Sequence, residues 1–125
     1  MRAGLRLAFA AAVLLAAVEA HAVELTLARK PAAHEEVWLE VAVGALPRGA
    51  VVRIDRPDGA LIETISPFAV RAGERAGTYR VALPQALAAK GKVEVELTVL
   101  GNGPPHHPTS EEVESVRLIY VPVTR

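Results

Sequence analysis

The sequence predicts an all-β fold, an antiparallel two-sheet sandwich of about seven strands. Three observations carry that expectation. Apolar and polar residues alternate at period two in one short segment after another. Turns bearing Gly or Pro separate those segments, and no stretch keeps a long helical periodicity. A small closed barrel is the alternative with the same local pattern.

The first 22 residues read as an export signal rather than as part of the fold. Arg2 and Arg6 make a basic start, Leu5 to Val18 is an apolar run, and Ala20-His21-Ala22 supplies the small-residue cleavage pattern. The run falls short of the about 20 residues that a membrane span needs. Cleavage after Ala22 is expected, leaving residues 23–125 as one domain in a periplasmic or secreted location. No second apolar run follows, so stable membrane insertion is not expected.

The export segment takes two of the 14 basic and one of the 14 acidic residues, leaving 12 and 13 in the domain. A near-neutral domain gives no electrostatic case for nucleic acid. The chain has no Cys. That excludes thiol catalysis, disulfide staples and Cys-ligated zinc, and leaves stability to core burial.

Each strand follows from local pattern. Val23 to Leu27 alternates and ends before Pro31 as an edge strand. Val37, Leu39, Val41 and Val43 form one face of the strand on which the rest is built, with Trp38, Glu40 and Ala42 on the other. Residues 50–56 follow, with Val52 and Ile54 inward and Arg53 and Asp55 outward. Arg56-Pro57-Asp58-Gly59 is a turn, since Pro presets φ and Gly accepts the positive φ after it. Leu61 to Ser66 returns antiparallel, with Leu61/Ile65 and Ile62/Thr64 equally plausible as the inward set.

Pro67 to Ala76 crosses over, and Gly77 to Leu83 is the next strand. Pro84 to Gly91 suits a single helical turn closed by Gly91. Val93, Val95, Leu97 and Val99 then alternate with Lys92, Glu94, Glu96 and Thr98. A Gly-Pro-His loop ends that strand, and Thr109 with Glu112 fits a capping box. The last strand, Ser115 to Val123, is apolar on both faces, which predicts cover on both or contact with another chain. The Gly77-Thr78-Tyr79 start resembles the tyrosine corner of immunoglobulin-like sandwiches. With the strand count, it points to an immunoglobulin-like or fibronectin-like type.

Chemistry is sparse. No Ser or Thr sits in a nucleophile context, and the pairs Glu35/Glu36, Glu94/Glu96 and Glu111/Glu112 read as surface charge. The expectation is a protein that is not an enzyme. Histidine offers the one metal reading. His106 and His107 occupy a Pro-flanked loop, and His21 precedes the first strand at the same pole, while His34 belongs to the opposite one. Cleavage after Ala20 would make His21 the N-terminal residue, and amine plus imidazole suit Cu(II). Such a chain resembles the small periplasmic copper carriers of the copper-resistance type, which begin with His and contain an Ala-Gly-Thr-Tyr strand like Ala76 to Tyr79 here. It departs from them between Val81 and Gly91, where their further Asp-x-His ligand context has no counterpart.

The other candidate surface surrounds Trp38. Trp38, Glu36 and Glu40, joined by Val51 and Arg53 if the next strand is their neighbour, would form an aromatic interface patch. Cover by Phe68 and Val70 of the crossover is the competing reading. The function expected is therefore an exported accessory module that binds another exported protein through Trp38, Glu40 and Arg53. The alternative is a copper carrier or chaperone using His21, His106 and His107.

Overall fold

The computed structural model describes residues 22–68, 70, 71 and 73–123. Residues 1–21, which include nearly all of the stretch expected to be an export signal, lie outside the described residues. Seven strands follow: β1 (Ala22–Thr26), β2 (Glu35–Val43), β3 (Val51–Asp55), β4 (Leu61–Ile65), β5 (Gly77–Ala82), β6 (Lys92–Leu100) and β7 (Val113–Pro122). One short 3-10 helix, Gln85–Ala88, lies between β5 and β6, where the single helical turn was expected. Gly91 closes the turn that follows this helix, its N–H donating to the Ala88 carbonyl oxygen at a φ of 82° that is open to glycine at little cost.

The strands form two antiparallel sheets, ordered β1-β6-β3-β4 and β5-β2-β7. Period-two patterning explains how they pack. Val37, Leu39, Val41 and Val43 of β2 are fully buried, as are Val52 and Ile54 of β3 and Val93 and Val95 of β6. Together with Val81, Leu83 and Leu97 they make one aliphatic core between the sheets. Burying a Val or Leu side chain is worth roughly 1.5–3 kcal/mol, so these rows dominate what holds the sheets together.

Two expected contacts appear in place. The Tyr79 hydroxyl donates to the Ala76 carbonyl oxygen at 3.3 Å, tying the start of β5 back to the segment before it. The Thr109 N–H donates to Glu112 Oε1 and the Glu112 N–H to Thr109 Oγ1, the reciprocal capping-box pair.

β4 resolves the two candidate inward sets by using one residue from each. A bulge opposite Ile54/Asp55 leaves Ile62 as the extra residue in β4. Ile65 is buried and Ile62 packs against the core, whereas Leu61 is exposed. A bulge breaks strict alternation, so both faces contribute.

Gly44 is the junction at one pole. Its N–H donates to the Glu112 carbonyl oxygen, its own carbonyl oxygen accepts from the Ala76 N–H, and Ala45 N–H donates to Glu111. A side chain at this position would run into the Glu111 carbonyl oxygen. Only glycine lets three segments meet so closely.

Candidate functional site: the outer face of the three-stranded sheet

The register of β2 with its neighbours builds this surface. Trp38 stands directly opposite Ile119 of β7 and Ala82 of β5. Glu36 faces Val121, and Glu40 lies between Arg80 and Arg117. Alternation keeps all of these off the core face, because Val37, Leu39 and Val41 between them point inward. The result is an apolar strip of Trp38, Ile119, Val121 and Ala82 bordered by charge.

The border is ordered by hydrogen bonds. Arg117 Nε donates to Glu40 Oε1 at 2.6 Å, and Arg80 Nε approaches Glu40 Oε2 at 3.4 Å. The Arg117 hydrogen bond is the main influence that holds the Glu40 carboxyl below its ordinary value, against the desolvation that raises it. Trp38 Nε1 donates to Glu36 Oε1 at 3.2 Å, which fixes the indole while leaving its ring half-buried. Among the described residues, no element packs over this face. Phe68, expected as a possible cover, is 92% exposed. Val70 instead lines a small groove with Leu46, Pro47 and Ala76.

Arg53 does not join Trp38 and Glu40. β3 pairs with β4 and β6 in the other sheet, so Arg53 lies on the opposite outer face and bonds Asp55 at 2.7 Å. Chain adjacency suggested that β3 would neighbour β2, but the chain crosses between sheets instead. The residues that do complete the surface are Arg80, Ala82, Arg117, Ile119 and Val121. Only the last two left a trace in the sequence, as the apolar second face of the final strand.

The histidines divide. His106 is bound on both ring nitrogens: Nε2 meets the two Glu112 carboxylate oxygens at 3.0 and 3.1 Å, and Nδ1 lies 3.2 Å from the Pro104 carbonyl oxygen. Its backbone pairs with Val99 in both directions, which folds the 101–108 loop along β6. The Glu112 hydrogen bond is the leading cause of the raised His106 pKa, with Pro104 second. Burial works to raise the Glu112 carboxyl, but the Thr109 N–H and His106 together bring it below its usual value. His107 turns the other way, with Nδ1 3.3 Å from the Leu97 carbonyl oxygen.

Ala22, Val23 and His107 line one cavity of about 350 Å³, so the start of β1 does emerge at the His106-His107 pole, as the sequence indicated. His21 lies outside the described residues. His34 sits at the far pole, where its carbonyl oxygen accepts from Val123. Among the described residues no three His, Asp or Glu side chains converge in a metal-holding group. No protein-family model, curated protein or solved structure matches the chain.

Proposed function

We propose that this is an exported, non-catalytic β-sandwich of immunoglobulin-like type that serves as an accessory module, binding another exported protein through the outer face of its three-stranded sheet. The observation that carries the reading is the strip of Trp38, Ile119, Val121 and Ala82. Solvent-facing strand positions ordinarily carry polar residues, as Glu94 and Glu96 do on β6. Here an indole and two branched aliphatics occupy them, inside a fixed rim made by Glu40, Arg80 and Arg117. An apolar centre within a polar rim is the anatomy of a protein interface, with Trp the usual anchor.

A photoreactive amino acid placed at Ala82, next to Trp38, tests this in cells that export the protein. The expected result is one discrete adduct with a different exported protein, and no such adduct from the same group at Arg53. Adducts from both positions, or from neither, would refute the assignment.

The copper carrier is the second reading, supported by the shared cavity of Ala22 and His107. It requires a mature chain that begins at His21, and intact mass of the exported protein decides that. Stoichiometric Cu(II) lost in His21→Ala would establish it in place of the first reading.

A further inference from the structure

The free edge of β7 is a separate feature from the face beside it. β7 is an edge strand ten residues long, the longest strand among the described residues. In an antiparallel pair alternate N–H and C=O groups point away from the partner, so along β7 half of them point away from β2. Among the described residues no strand pairs there. The other edges are guarded differently: β1 and β4 have five residues each, β4 is bulged, and β5 presents Arg80. Natural proteins shorten, bulge or charge such edges to prevent pairing. On β7 the bulge at Glu114, Pro122 and the Arg29 contact with Tyr120 lie toward the ends, and between Val116 and Pro122 the one charged residue is Arg117, which is held by Glu40.

The geometry points to a second copy of this chain as the occupant of that edge, paired β7 to β7 antiparallel about a two-fold axis at Ile119. The ladder of outward backbone groups is a template that a strand fits, and the sequence between the bulge and Pro122 is self-complementary. In the register centred on Ile119, Leu118 faces the partner's Tyr120, and Arg117 faces the partner's Val121. A register centred on Leu118 would bring the two Arg117 guanidiniums onto neighbouring diagonal positions. The Ile119 register separates them. Arg117 is the one charged side chain between Val116 and Pro122, and Glu40 of its own protomer already neutralises it. Two copies therefore meet without a like-charge pair, and a domain with 12 basic and 13 acidic residues adds no long-range repulsion. The pairing would join two three-stranded sheets into one of six, with their apolar outer strips continuous. It does not depend on the heterologous partner: that partner would lie on the outer face of the sheet, whereas the pairing uses the backbone edge of β7 and is tested on the purified domain alone.

The absence of Cys makes the test direct. Opposed residues in an antiparallel pair have Cα atoms about 4.5–5.5 Å apart, within disulfide range. The domain carrying Ile119→Cys, treated with diamide, should form a covalent dimer at least about tenfold faster than Arg53→Cys, because pairing raises the local thiol concentration. Val121→Cys should cross-link to Arg117→Cys in a mixture but not to itself. Unmodified domain should show a concentration-dependent dimer by sedimentation, lost in Ile119→Lys at unchanged thermal stability. A monomer at every concentration, or Ile119→Cys no faster than Arg53→Cys, would overturn the proposal.

Discussion

Arg29 and Glu35 close a two-pronged ion pair, Nη1 to Oε1 at 2.7 Å and Nη2 to Oε2 at 3.0 Å. The same guanidinium stacks 3.9 Å above the Tyr120 ring, whose hydroxyl accepts from the Arg29 N–H and donates to the Arg29 carbonyl oxygen. The β1–β2 connection is thereby pinned to the end of β7. The Arg29 hydrogen bond, followed by the Ala32 N–H, holds the Glu35 carboxyl down to about 2.

Acid titration should expose that pair. A carboxyl with a depressed folded pKa contributes stability that is complete above its unfolded value and fades as pH falls through the folded one. Wild type should therefore melt above Glu35→Gln at pH 6, and the gap should narrow between about pH 4.5 and 2. A gap that stays constant across that window would disprove the contribution.

At the other pole the sign reverses. The His106 pKa is raised, so its ion pair with Glu112 is fully present below about pH 6.5 and is lost as pH climbs through the folded pKa. The melting-point difference between wild type and His106→Ala should be largest near pH 5.5 and shrink by pH 9. An increase toward pH 9 would mean that His106 acts in its neutral form.

Gly44→Ala should destabilise by at least about 2 kcal/mol, because a methyl group there overpacks against the Glu111 backbone, which is itself fixed by Ala45. Denaturant unfolding gives the value. A change under about 0.5 kcal/mol would show that the junction yields easily.

On β6 the two faces should behave oppositely. Val95→Asp buries an unpaired charge in a fully buried site and should abolish folding, whereas Glu94→Lys on the exposed face should leave the melting point unchanged. Circular dichroism of both variants is sufficient. Equal tolerance would mean the faces are wrongly assigned.

Local pattern made the strands legible. The rows of β2 and β6 repeat at period two over nine residues each, and a two-residue period leaves one choice of buried face. The Thr109–Glu112 cap and the glycine after the helical turn were legible for the same reason, since their partners are within a few residues. Sheet membership was not. Nothing local to Arg53 records that β3 pairs with β6, so its place on the far face followed only from tertiary pairing. The Glu40–Arg80–Arg117 group likewise depends on the register of three strands distant in the chain. His106 sits six residues before Glu112, and a loop with no periodicity gave no sign that they would meet.

The measurement that bears most directly on the proposed binding face is thiol protection at Ala82→Cys in the exporting cell. Ala82 is exposed, lies beside Trp38, and is on β5, away from the β7 edge. Its labelling by a charged maleimide should be strongly suppressed in the native compartment and restored in the purified domain, while Arg53→Cys labels equally in both. Equal labelling of Ala82→Cys in both settings would contradict the claim that this face is occupied by another exported protein.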